Sequence, residues 1–163
     1  MEKTSRLYQQ IGDKMKYYNF SALDTDDTWQ MKVAPYPPDT SFQFLTEDQG
    51  VLTSLLEIWD AYLDGLFYYA HKADLLDSDF GRVWFDICWI GNTDDGWKLS
   101  QNDLRDFIQI LETIPFYTLS PEQQDKENIF IPKVERLEQL RGHLLKYLRK
   151  AQQKGSTVYI TRD

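Results

Sequence analysis

The longest regular pattern in this chain is a series of apolar residues between Thr46 and Lys72. The segment Thr46-Glu47-Asp48-Gln49 matches a capping box, in which the threonine and glutamine side chains bind each other's free backbone N–H groups at the start of a helix. The apolar residues behind it recur at steps of three and four, the helical period; they are Leu52, Leu55, Leu56, Trp59, Tyr62, Leu63, Leu66 and Ala70. The pattern predicts one long amphipathic helix over residues 47–72, the spine of the core.

The opposite face of this predicted helix is acidic. Glu57, Asp60, Asp64 and His71 lie together there, and Tyr68 falls beside them. Polar residues opposite an apolar stripe ordinarily face water. We therefore expect these side chains on the surface.

Two weaker patterns precede the apolar series. Leu7, Ile11, Met15 and Tyr18 follow the helical period and predict a surface helix over residues 4–18. Residues 19–45 are rich in aspartate and proline, and prolines at this density forbid a regular helix. We interpret residues 19–45 as a connection, in which residues 28–33 are a candidate for a short edge strand.

The second half of the chain predicts four more helices. Residues 80–90 fit the helical and the strand period equally well, but Ser78 as a cap and Gly91 as a terminator favour a helix. The others have clear start or stop signals: residues 100–113 between Ser100 and Pro115, a short helix opened by Ser120-Pro121, and residues 132–154 between Pro132 and Gly155. Residues 157–160 add a terminal strand, with residues 28–33 as its candidate partner.

These elements and the composition indicate one domain. A chain of 163 residues, 42% of them hydrophobic, can bury a core without a metal or a disulfide, and its single cysteine, Cys88, excludes an intrachain disulfide. We expect a mainly α, single-domain bundle of five or six helices over residues 1–163, with at most a small two-stranded β element and a terminal strand or tail at residues 155–163. Since no apolar signal core or membrane-length apolar stretch is visible, we expect a cytoplasmic protein.

The net charge of −8 is unevenly distributed. Residues 47–103 contain twelve acids and three bases, a balance of −9, whereas residues 133–154 contain seven bases and two acids, a balance of +5. A mostly negative surface repels phosphate backbones, which argues against direct binding of nucleic acid. The natural electrostatic complement is a basic protein.

Residues 92–103 resemble a calcium loop of the EF-hand type. Asn92, Asp94, Ser100 and Asp103 stand where such a loop has oxygen ligands. However, Gly96 occupies a ligand position, and the position that requires glycine holds Trp97. We favour a polar turn followed by a capped helix, and a degenerate calcium-binding regulatory module remains an alternative.

Other catalytic or metal-binding patterns are weaker still. His71 and His143 are the only histidines, and Cys88 lies in a hydrophobic run, where a buried structural role is usual. The sequence has no nucleophile elbow, phosphate loop or dinucleotide fingerprint. We expect no metal and no cofactor, although a carboxylate-dependent enzyme remains a second alternative because acids are plentiful.

The aromatic content favours a binding surface. Ten Tyr, nine Phe and five Trp exceed what a modest helical core requires, and tyrosine and tryptophan among acids make good interface anchors. We therefore expect a non-enzymatic inhibitory protein that engages a basic protein, such as an immunity protein against a toxin or a phage anti-defence protein against a nucleic-acid-handling enzyme. In this hypothesis the phosphate-mimicking acids and the aromatic anchors are Asp60, Asp64, Asp94, Asp95, Tyr68 and Trp97.

Overall fold

The computed structural model describes residues 16–20, 41–90, 96–127 and 131–162. Its elements, in chain order, are β1 (Lys16–Phe20), β2 (Ser41–Asp48), β3 (Val51–Trp59), α1 (Asp60–Lys72), α2 (Asp79–Ile90), β4 (Trp97–Leu99), α3 (Gln101–Thr113), α4 (Pro121–Glu127), α5 (Val134–Lys154) and β5 (Thr157–Arg162). The strands form one sheet in the order β1-β3-β2-β5-β4. β1 is parallel to β3, and the other neighbours are antiparallel. This is an α+β fold, so the prediction of a helical bundle with a minor two-stranded element is wrong.

The predicted helix over residues 47–72 is a hairpin followed by a shorter helix. β2 and β3 are joined by Gln49 and Gly50, whose φ angles are 52° and 82°, and Asp48 pairs with Val51 across the turn. Positive φ at both central residues is typical of a two-residue hairpin turn of type I′. The helix therefore begins at Asp60, and the capping-box interpretation of Thr46 is wrong.

A β-bulge explains why the strand imitated a helix. Thr46 pairs with Ser54 and Glu47 pairs with Leu52, so Thr53 is an extra residue in β3. The bulge puts Leu52 and Leu55, three residues apart, into one cluster on the sheet, while Leu56 joins a different cluster. Because both faces of β3 bury leucines, their spacing reproduces the steps of three and four expected of a helix.

Most of the other predicted elements agree with the structure. Residues 80–90 are helical, α3 begins with a capping box at Ser100, and the two later helices and the terminal strand are present. The partners of β5, however, are β2 and β4. The predicted surface helix is wrong at residues 16–18, which belong to β1, and the predicted connection contains parts of β1 and β2 at its two ends. Residues 4–15 and 28–33 lie outside the described residues.

The main core lies between one face of the sheet and the helices. Phe42 and Phe44 of β2 and Ile58 of β3 are fully buried there, in one cluster with apolar residues of α1, α2, α3 and α5. A smaller buried cluster consists of Leu45, Leu52 and Leu55. Among the described residues, no helix combines the length and the apolar character needed to cross a membrane.

Candidate partner-binding site

Two of the residues on the predicted acidic face, Asp60 and Tyr68, are buried. Asp60 is 2% exposed and Tyr68 is 8% exposed, and Asp64 is half-buried. The buried residues of α1 point in almost every direction around its axis, because α1 is packed between the sheet and other helices. The expectation of a solvated acidic face is therefore wrong for Asp60 and Tyr68.

Trp97, the one remaining predicted site residue in the described part of the chain, lies on a different element. Trp97 is half-buried in β4, pairs with Ile160 of β5 and packs against the main core. Asp94 and Asp95 lie outside the described residues. The structure therefore brings Asp60, Asp64 and Tyr68 together along one helix and places Trp97 at the far edge of the sheet.

The two candidate calcium ligands at the start of α3 cap that helix. The Oγ of Ser100 accepts a hydrogen bond from the backbone N–H of Asp103 at 3.0 Å, and the Oδ2 of Asp103 accepts one from the N–H of Ser100 at 3.0 Å. In the part of the chain that the structure describes, no three His, Cys, Asp or Glu side chains are grouped so as to hold a metal ion. The preferred interpretation, a capped helix, is confirmed for residues 100–113.

An open groove lies between the α1–α2 connection and the second half of α3, and we call it the acidic groove. Its volume is about 260 Å³, and it is lined by Asp74, Leu75, Asp77, Ser78, Asp106, Gln109, Ile110 and Thr113. Ile110 is buried and Leu75 half-buried. The groove therefore has a small apolar base and a mostly polar lining.

Local backbone geometry fixes the wall formed by the α1–α2 connection. The N–H of Leu75 donates to the carbonyl of Ala70, and that of Asp74 donates to the carbonyl of His71, the Schellman pattern that ends many helices. Asp74 has the left-handed φ of 56° that this pattern requires. At the other end of the wall, the Ser78 hydroxyl accepts a hydrogen bond from the backbone N–H of Gly81 at 3.1 Å and so caps α2.

The groove attracts positive charge. Asp74 and Asp77 are exposed, Asp106 is half-buried, and none of the three forms an ion pair with a described lysine or arginine. Arg82 lies beside the groove: its guanidinium pairs with Asp79 at 2.6 Å and donates to the Asp77 carbonyl oxygen at 2.9 Å. Both α1 and α3 also end at the groove, and the carbonyl end of a helix carries partial negative charge.

An exposed aromatic segment follows α3, and we call residues 114–119 the aromatic loop. The Tyr117 side chain is 45% exposed, although its backbone is held from within by the Tyr69 hydroxyl, which donates to the Tyr117 carbonyl at 2.7 Å. Burial, with smaller contributions from Tyr117 and Tyr68, raises the pKa of Tyr69 to about 12. Arg141 donates to the Ile114 carbonyl at 2.6 Å. The loop starts directly after Thr113, so it adjoins the acidic groove.

A second cluster of polar side chains lies on the core side of the hairpin and is joined by hydrogen bonds. The Ser54 hydroxyl donates to the Tyr147 hydroxyl at 2.8 Å, and Tyr147 donates to the Phe44 carbonyl at 3.0 Å. At the hairpin turn, Asp48 accepts hydrogen bonds from Ser156 and Thr53 and pairs with Lys154 at 3.5 Å.

The environment of Asp48 suits a structural role. The hydrogen bond from Ser156 is the largest contribution to its lowered pKa. Catalysis by a general acid requires the opposite direction, a pKa raised towards neutral. We therefore assign this network to the attachment of the hairpin to the end of α5.

Sequence reasoning missed the groove for an identifiable reason. The charge count detected the acidic balance of residues 47–103, but it does not show that Asp74 and Asp77 face Asp106, which lies beyond that range. Because the apolar spacing predicts one helix over residues 47–72, it also predicts that the acids of α1 are the more exposed group. No family model, curated protein or solved structure matches this chain.

Proposed function

We propose that this is a non-enzymatic binding protein whose acidic groove engages a basic segment of another protein. The observation that carries the proposal is that three aspartates, without ion-pair partners among the described residues, line one groove at the ends of two helices. Desolvation of the apolar base by a partner side chain would strengthen the attraction between these carboxylates and a bound cation.

An inhibitor is the class of binding protein that fits this chemistry best. Toxins and other enzymes that handle nucleic acids carry basic surfaces that bind phosphates. The carboxylates of the groove would occupy such a surface in place of phosphates, as an immunity protein or an anti-defence protein does. We place this activity in the cytoplasm, since a chain whose only cysteine is Cys88 needs no oxidising compartment.

Neutralisation of the groove tests the proposal. The triple variant Asp74→Asn, Asp77→Asn, Asp106→Asn removes the three charges, and asparagine also tolerates the left-handed backbone at position 74. Its matched control, Glu122→Gln, Asp125→Asn, Glu135→Gln, removes three exposed charges from α4 and the start of α5. The two variants have the same net charge, so they differ only in where the charge was lost.

The assay has two steps. Tagged wild-type protein captures partners from the native cell at low salt, and the captured protein is then purified and titrated against all three forms by calorimetry. Exposed charge pairs contribute about 0.2–1 kcal/mol each, so we expect the groove variant to bind about tenfold more weakly and the control to match the wild type. Equal affinity of the groove variant and the wild type for the captured protein would refute the proposal.

A further inference from the structure

We infer that the aromatic loop forms the second half of the binding surface and that the ring of Tyr117 selects arginine over lysine in the partner. This inference rests on the proposed function, because the arginine belongs to the basic segment bound at the acidic groove. Its evidence is separate, since it comes from the exposure and rigidity of the loop and not from the carboxylates.

The aromatic loop is fixed to the rest of the fold, yet it remains exposed. Its backbone is fixed by hydrogen bonds from Tyr69 and Arg141, and the Tyr69 ring packs edge-on against the Tyr117 ring at a centroid distance of 5.0 Å. Nearly half of the Tyr117 side chain nonetheless remains accessible. An aromatic side chain held in place before binding loses little conformational entropy when a partner contacts it.

Neighbouring aromatic rings in this chain already bind cations. Arg141 lies over Phe116 of the same loop, with 4.5 Å between the guanidinium carbon and the ring centroid. Arg136 of α5 lies 5.4 Å from the ring of Tyr62 of α1. Within α1, Lys72 lies 5.6 Å from the ring of Tyr68. The shortest of these contacts is made by an arginine, whose planar guanidinium can stack on a ring while its N–H groups bind oxygen atoms.

The position of Tyr117 makes the same arrangement available to a partner. Thr113 lines the groove, and Tyr117 follows four residues later in the aromatic loop. A guanidinium of a basic segment bound at the groove would stack on the exposed part of the Tyr117 ring while its N–H groups bind nearby oxygen atoms. A lysine ammonium gains from the negative potential of the groove but cannot stack as a plane or bind two oxygen atoms in a fork.

Fluorescein-labelled hexa-arginine and hexa-lysine peptides of equal charge test this selectivity. Their affinities are measured by fluorescence anisotropy at low salt for the wild type, Tyr117→Leu and Tyr117→Phe. An exposed cation–π contact gives about a 2–5-fold preference, which we expect for arginine in the wild type. Tyr117→Leu should remove that preference by weakening hexa-arginine more than hexa-lysine, whereas Tyr117→Phe, which keeps a ring, should retain it.

The outcomes separate this inference from the proposed function. A preference for arginine that survives in Tyr117→Leu overturns the role of the ring. If the triple variant of the groove still weakens both peptides in that case, the proposed function stands without the aromatic loop. If neither peptide binds the wild type at low salt, both proposals fail.

Discussion

The turn between β2 and β3 can be tested with two glycine substitutions that should have opposite effects. Gly50 has a φ of 82° in this turn, whereas Gly142 lies inside α5. A Cβ atom built at either position meets no atom within 4 Å, so neither alanine is excluded by a clash. Alanine in the left-handed region costs about 1–2 kcal/mol, which the reduced entropy of the unfolded chain offsets by about 0.4–1 kcal/mol. We expect Gly50→Ala to lower the free energy of unfolding by about 1 kcal/mol.

Gly142→Ala is the matched control and should raise the free energy of unfolding. Alanine is more favourable than glycine in a helix interior by about 0.8–1.0 kcal/mol. The two variants should thus differ by about 2 kcal/mol, or about 1 M in the urea midpoint for a protein of this size. Urea unfolding followed by far-ultraviolet circular dichroism measures both. If residues 47–72 formed one helix, Gly50→Ala would stabilise the protein as Gly142→Ala does, and that result would refute the hairpin.

Three further substitutions test other parts of the structure. Asp48→Asn should destabilise the protein by about 1–2 kcal/mol at neutral pH because the hydrogen-bond donors around Asp48 lose a charged acceptor. The folded pKa of Asp48 lies below the usual 3.8, so the difference in stability should persist above pH 3.8 and shrink as the pH falls through the folded pKa. Urea midpoints of the two proteins that keep their separation in acid would contradict this expectation. Gly81→Ala should cost at least about 2 kcal/mol, because its Cβ would lie 2.5 Å from the backbone carbonyl of Leu76; an unchanged melting temperature would disprove this close contact. Tyr69→Phe should cost about 1 kcal/mol through the lost hydrogen bond to Tyr117, and the wild-type contribution should be present below the ordinary pKa of 10.0 and decline as the pH rises towards about 12. An absorbance titration of tyrosinate should lose a step near pH 12 in this variant, and an unchanged titration would contradict the raised pKa of Tyr69.

The helices with local start and stop signals were predictable from the sequence. Ser100 and Pro115 bound α3 because capping and proline chemistry act within a few residues of the helix end. The hairpin was not predictable in the same way. The left-handed conformation of Gln49 is not specified by its residue type, and the bulge at Thr53 depends on pairing with a strand. Periodicity assumes an unbroken element, so one extra residue was enough to give the wrong period.

The acidic groove depends on contacts that no local pattern records. Asp74 and Asp106 are distant in sequence and line the same groove because the α1–α2 connection lies beside α3. Asp60, by contrast, had the right chemistry for a surface acid and is buried because α1 is enclosed on nearly every side. Amphipathic patterns identify the most apolar face of a helix, but they do not show how many neighbours will cover the other faces.

The strand order has a consequence for how the chain acquires its fold during synthesis. β5 lies between β2 and β4, and β4 pairs with no other described strand. A hairpin such as β2–β3 closes within microseconds, but β4 has no strand to pair with until the ribosome has also made α3, α4, α5 and β5. The edge of β2 that binds β5 therefore stays unpaired while residues 49–156 are synthesised, and unpaired edges of this kind attract other chains. We expect the nascent protein to be most vulnerable to aggregation, and most dependent on chaperones, in this interval.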